Sequence, residues 1–174
     1  MVYRCYLTCP HYSDPCEISV AEMDKLIGRS TPCPVGEPDG FYLSNEENEF
    51  FCMIVGSRSF ENYEILREKC DFMLKKKTGK EIIIVSGGAA GADALAKNYA
   101  KEKGYKYLEF PADWSKGNIA GYERNQQMHR YISTKADRGV IAFWDGESKG
   151  TKHSFSLAKK FHNPIRIIKV DSEN

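Results

Sequence analysis

Glu81-Ile82-Ile83-Ile84-Val85-Ser86-Gly87-Gly88-Ala89-Ala90-Gly91-Ala92-Asp93 is the stretch on which the reading of this chain turns. Its opening run of β-branched apolar residues predicts a short strand buried on both faces, as in a parallel sheet. Glycines and small residues follow, and they let a backbone turn sharply and approach a ligand closely. From Ala90 to Lys103 the sequence is alanine-rich and helical in pattern. A strand, a glycine-rich turn and a helix form an anion-binding arrangement, because unpaired N–H groups and the positive end of the dipole face the turn. The expected ligand class is therefore a phosphate-bearing small molecule.

The same alternation extends on both sides. Phe51-Cys52-Met53-Ile54-Val55 predicts a strand, followed by a turn at Gly56-Ser57-Arg58-Ser59 and a helix carrying Leu66, Cys70, Met73 and Lys77. Beyond Lys103 come strands at 106–110, 140–144 and 165–170, separated by a loop at 111–120, a helix carrying Met128, Tyr131 and Ile132, and a last helix carrying Phe155, Ala158 and Phe161. Five strands alternating with four helices predict a Rossmann-like α/β fold, a parallel sheet with helices on both faces. Ligands of such sheets bind beyond the strand C-terminal ends, where the strand order reverses.

The 174 residues suffice for one packed domain and a small appendage, and their net charge of +1 hides an asymmetry. Residues 1–49 hold three basic and nine acidic residues, a charge of −6, whereas the remainder holds 22 and 15, a charge of +7. Two regions are expected, an acidic cysteine-rich extension and linker at 1–49 and the α/β domain at 50–174. No apolar run is long enough to span a bilayer. Met1-Val2-Tyr3-Arg4-Cys5 lacks the basic-then-apolar pattern of a signal peptide, so the expected compartment is the cytoplasm, where structural disulfides are rare.

In a parallel sheet every strand-to-helix turn falls on one edge, and four such turns carry binding chemistry. Gly56, Ser57 and Arg58 offer N–H groups, a hydroxyl and a guanidinium that can grip phosphate. Ser86, Gly87, Gly88, Ala89, Gly91 and Asp93 supply the glycine cradle. Arg124 and Asn125 extend the apolar stripe of the third helix towards its N-terminus, which turns them into the crevice. Asp145, Gly146, Ser148, Lys149, Gly150 and Thr151 open the last helix, a second anion site with Thr151 near the N-cap. Trp114, Tyr122 and Trp144 are candidates to stack on a base, with Trp114 preferred; Asp93 and Asp145 suit a ribose hydroxyl, and Lys149 and Lys152 a phosphate. The main domain requires no cofactor. His129, His153 and His162 read as surface residues.

Cys5, Cys9, Cys16 and Cys33, with His11 as a substitute ligand, place soft donors in a segment too short to build its own core. Structural zinc would explain how it folds, although the spacing contains no paired Cys-x2-Cys knuckle.

From Phe50 to Val170 the chain resembles the SLOG superfamily and, within it, the YspA-like, cpYpsA-related branch. The resemblance is carried by Gly56-Ser57-Arg58-Ser59-Phe60, by Ser86 to Asp93, by Gly121 with Arg124-Asn125-Gln126-Gln127-Met128, and by Trp144 to Thr151. It implies a Rossmann-like domain binding nucleotides or nucleotide-derived ligands, often as a sensor in phage-defence, stress or conflict systems. The superfamily also includes nucleotide phosphoribohydrolases of the LOG type and is related to lysine-decarboxylase-like proteins and DNA-processing protein A. The LOG-type enzymes carry a Pro-Gly-Gly-x-Gly-Thr turn followed by glutamates. Here Ser86 replaces the proline and Ala94-Leu95-Ala96-Lys97 offers no carboxylate, so a hydrolase would rely on Glu123 or Asp93.

The expected function is binding of a nucleotide-derived small molecule as a sensor. The alternatives are cleavage of an N-glycosidic bond and, behind it, nucleic-acid binding, against which the acidic first region argues. The sequence leaves the oligomeric state, including a homo-oligomer, open.

Overall fold

The computed structural model describes residues 48–170, together with the backbone at 2–5 and 16–19. The chain divides into two compact units, Met1–Ser44 and Asn45–Asn174. In the first, β1 (Val2–Cys5) and β2 (Cys16–Ser19) form an antiparallel pair in which Cys5 stands opposite Cys16. Cys9, His11 and Cys33, the other members of the expected zinc set, lie outside the described residues.

The second unit holds the five expected strands: β3 (Glu49–Gly56), β4 (Glu81–Ser86), β5 (Lys106–Glu109), β6 (Arg138–Trp144) and β7 (Ile165–Lys169). All four pairings are parallel, and the spatial order is β5-β4-β3-β6-β7. Strand order, which the sequence could not supply, therefore reverses between β3 and β6. This is the position at which such sheets open a crevice.

Side chains on β3 alternate strictly between the two faces. Phe50, Cys52 and Ile54 enter one core with Leu66, Ala96 and Tyr99. Phe51, Met53 and Val55 enter the other with Met128 and Ile132. The first core is covered by α1 (Tyr63–Leu74) and α2 (Ala92–Lys103), the second by α3 (Ala120–Ser133) and Phe155 of α4 (Lys149–Lys160). Alanines 92, 96 and 100 are fully buried, so α2 presents a face without bulk to the sheet. Gly104, with φ 67°, closes α2 in the left-handed conformation usual for a helix end.

Two local expectations differ from the structure. Lys77 does not continue the stripe of α1, because the helix ends at Leu74 and Lys75–Lys77 form a 3-10 turn. The Lys77 ammonium instead reaches Asp137 Oδ1 at 2.8 Å. The loop before α3 contains a 3-10 segment, Trp114–Ile119, broken at Gly117 with φ 65°. Thr151 stands near the N-cap of α4: the cap is Ser148, whose Oγ accepts from the Thr151 N–H at 3.4 Å.

Candidate functional site

A cleft of about 610 Å³ opens over the C-terminal ends of β3 and β6, and all four strand-to-helix loops contribute to it. Its floor is an ion pair. Arg124 Nη1 donates to Asp93 Oδ2 at 3.1 Å, with the two side chains only 8% and 6% exposed. The Ala89 N–H donates to the same oxygen at 3.2 Å. Burial pushes the Asp93 carboxyl up, against the opposing pull of the Arg124 guanidinium. Arg124 Nε is buried with no hydrogen-bond partner among the described residues. An unmet charged donor at a cleft floor is a group prepared to receive an acceptor.

Glycines of the turn after β4 also make room for neighbouring groups. A Cβ on Gly87 would fall 1.3 Å from Arg124 Nη1, so its absence makes the space in which the guanidinium lies. Gly91, at φ 74°, would bring a Cβ within 2.4 Å of the Ser57 carbonyl oxygen and 2.5 Å of that of Arg58. Both glycines let neighbouring loops pack together. Gly88 lies beside the Glu109 side chain, and Ser86 is buried with its Oγ unpartnered among the described residues. Of this turn, Ala89 and Asp93 line the cleft.

From the first loop, Gly56, Arg58 and the neighbouring Ser59 line the cleft. Ser57 is fully buried and acts as a bracket: its N–H donates to Phe143 O at 2.9 Å, its carbonyl accepts from Ala92 N at 3.3 Å, and its Oγ accepts from Asp145 N at 3.2 Å. It therefore joins three loops from behind the binding surface.

The fourth loop is organised by Asp145. Its Oδ1 accepts from the Glu147 and Ser148 N–H groups at 2.9 and 2.8 Å, and its Oδ2 from Ser59 Oγ at 3.3 Å. Desolvation raises this carboxyl, but the donors from Ser148, Glu147, Ser57 and Ser59 outweigh it and hold it below the usual carboxylate range. Ser148, Gly150 and Thr151 bring the N-terminus of α4 to the cleft, and Asn125 Nδ2 ties α3 to that turn by donating to Gly150 O at 3.3 Å. Gly146 and Lys149 are exposed and stand off the lining. Trp144 is half-buried, donates from Nε1 to Ser148 O at 3.2 Å and packs edge-on against Phe155, so it supports the loop.

At the mouth, Trp114 and Tyr122 join Arg58. Glu123, a candidate acid, is absent from the lining and pairs with Lys116 at 2.8 Å; the carboxylates that face the cleft are Asp93 and Asp145. Ser154 was not foreseen. It is fully buried on the lining, its Oγ unpartnered, and its one available signal was a position three residues after Thr151 on the same helix face. His129 corrects the surface reading given above: it is fully buried between α3 and the chain after α4, where Asn163 Nδ2 donates to its carbonyl at 2.9 Å.

Among the described residues no cluster of metal-ligating side chains occurs, and no helix is long and apolar enough to cross a membrane.

Residues 52–117 match the model of the YspA, cpYpsA-related SLOG family. No curated protein matches the chain. Among solved structures, DNA processing protein A from Helicobacter pylori, described for its single-stranded DNA binding mode, is similar at 20% identity with a TM-score of 0.49. That similarity covers 70% of this chain and 66% of the other, just under two thirds of its length. The matched stretch, which builds the first two loops of the cleft and ends in the segment carrying Trp114, is thus similar to the YspA, cpYpsA-related SLOG family.

Proposed function

We propose that the α/β domain binds a nucleotide-derived, phosphate-bearing small molecule in this cleft and acts as its sensor. The observation that carries the reading is the convergence of two guanidinium groups, Arg58 and Arg124, with the N-terminus of α4 on one concavity at the switch point of the sheet. Helix N-termini and arginine forks both favour phosphate oxygens, and their effects reinforce one another in a partly enclosed site. The phosphate is assigned to Ser148, Gly150 and Thr151 with the two arginines, all of which line the cleft, whereas of the turn after β4 only Ala89 and Asp93 do.

The test is thermal stabilisation by nucleoside 5′-monophosphates, read beside native mass spectrometry of the protein as purified. Stabilisation that disappears in Arg58→Ala supports the site. Equal stabilisation of that variant overturns the assignment.

Hydrolysis of an N-glycosidic bond is the second reading, and the observation favouring it is a buried carboxyl on the cleft lining, Asp93. A carboxylate there would suit stabilising an oxocarbenium-like centre or activating water. Free base released from a nucleotide, and lost in Asp93→Asn, would establish it. A polyanion such as nucleic acid fits less well, since Arg58 and Arg124 on the lining are balanced by Asp93 and Asp145. For the first unit we propose structural zinc, supported by the placement of Cys5 opposite Cys16 in the β1–β2 ladder.

A further inference from the structure

Apolar surface is left open unevenly in this domain. Five large hydrophobic residues are exposed among those described: Phe72, Trp114, Ile119, Tyr122 and Ile167. Three of the five fall between positions 114 and 122, and two of those, Trp114 and Tyr122, line the cleft. Trp114 is 55% exposed and Tyr122 40%. An aromatic wall left bare inside a concavity, beside convergent polar groups, is the usual composition of a small-molecule site.

The two rings are held differently. Tyr122 is fixed edge-on to His153, with centroids 4.8 Å apart and planes at 75°. Trp114 touches little: its Cη2 lies 4.0 Å from where a Gly121 Cβ would stand, and the Arg58 guanidinium carbon is 5.3 Å from its ring centroid. Arg58 makes no ion pair among the described residues, so its resting partner is the indole. A guanidinium over an exposed indole is a weak contact that a stronger one can replace. The cleft lining offers the replacement's other half, an anion seat at the start of α4, with Arg124 on the same concavity.

These features describe a ligand with a planar ring at one end and an anion at the other. We propose that Trp114 is the platform on which the base of the ligand stacks, and that the arriving base displaces Arg58, which transfers to the ligand's phosphate. This rests on the proposed function above and adds an orientation, base outward and phosphate inward, together with an exchange of partners by one arginine. Base stacking on an aromatic ring exceeds an exposed cation–π contact, and Arg58 exchanges that contact for a charge-assisted hydrogen bond. The exchange needs both ends of the ligand: a ring without phosphate leaves Arg58 without a new partner, and a phosphate without a ring leaves the indole bare. Since every nucleobase has a stacking face, this platform selects for a base without selecting among bases.

Calorimetric titration of the full chain with 5′-AMP, ribose 5-phosphate and inorganic phosphate tests the assignment. The expected result is that 5′-AMP binds about ten- to a hundredfold more tightly than ribose 5-phosphate. Trp114→Ala should abolish that difference without weakening ribose 5-phosphate binding, and Trp114→Phe should restore most of it. Because Trp114 is exposed, its replacement should leave the melting temperature of the free protein unaltered. In a Trp144→Phe background shown by calorimetry to bind 5′-AMP, Trp114 is the sole tryptophan, and its emission should change on addition of 5′-AMP. Ribose 5-phosphate binding as tightly as 5′-AMP, or an emission that does not respond, overturns the stacking platform while the phosphate site stands. Absence of binding by all three probes overturns the proposed function and this inference together.

Discussion

Gly87 and Arg124 share a single space: the guanidinium lies where a side chain at position 87 would begin, 1.3 Å from an ideal Cβ. The backbone of Gly87 does not occupy the left-handed region, so steric exclusion alone demands glycine there. Gly87→Ala should therefore cost about 1–3 kcal/mol by overpacking. The same change in an Arg124→Ala background should cost much less. A double-mutant cycle in urea checks this, and a coupling near zero would contradict it.

The Asp93–Arg124 pair is almost wholly removed from solvent, so breaking it differs from deleting it. Arg124→Met strands a buried carboxylate and should cost about 3–5 kcal/mol at neutral pH. Asp93→Leu in addition should recover most of that loss. The sign with pH also follows. Burial holds this carboxyl above its unfolded value, so its contribution is complete at acid pH and lost as pH rises through the folded pKa. Removing the arginine pushes that pKa further up. Denaturant titrations should find Arg124→Met closer to the parent protein at pH 5 than at pH 7.

His129 supplies a pH dependence of opposite sense. Burial, with His153 adding to it, lowers its pKa from 6.5 to about 4. Below pH 6.5 the unfolded chain accepts a proton that the folded imidazole refuses. Stability is thus complete above 6.5 and falls as pH drops towards 4, by about 1.4 kcal/mol per pH unit. His129→Gln should flatten this slope between pH 7 and pH 5, whatever its effect on stability at pH 7.

Asp145 holds two backbone N–H groups of its loop through one oxygen, Oδ1. Asp145→Asn keeps that acceptor and should leave the turn intact, whereas Asp145→Ala should cost about 1–2 kcal/mol and loosen the start of α4. Because the folded carboxyl lies low, its contribution is present above the ordinary carboxylate range and lost as pH falls through the folded pKa. Amide hydrogen exchange at Glu147 and Ser148 distinguishes the two variants.

Elemental analysis of reductant-protected protein should find one zinc per chain, reduced by Cys5→Ser or Cys16→Ser and removed by a chelator. Metal-free protein as purified would end the zinc assignment.

Where the sequence was legible, a local pattern carried the signal. Ile82 to Val85 reads as a buried strand because its four residues need no knowledge of their neighbours, and the period of two along β3 needs none either. The residues that line the cleft were largely in view, since strand-to-helix turns fall on one edge in any parallel sheet. What stayed hidden depended on partners distant in sequence. The motif shows two glycines after a strand, but only the arrival of Arg124 reveals that Gly87 is space for a guanidinium. Ser57 reads as a phosphate ligand until Phe143, Ala92 and Asp145 occupy it. His129 sits on a polar-looking helix, and Asn163, from beyond α4, converts its position into an interior one.

The strand order has a consequence for how the protein comes into being. β3 lies beside β6, and the bonds that close the cleft, Ser57 to Asp145 and Ser59 to Asp145, span 88 and 86 residues. Contacts so far apart in sequence form late, after local and nearer pairings have repaid their own loop-closure entropy. A chain emerging from the ribosome can assemble β3, β4, β5 and the two helices between them before β6 has been made. During that interval it has an incomplete sheet and no cleft. The cleft is complete only once β6 and the loop after it have been made, and under the function proposed above a ligand would fasten this last joint to close.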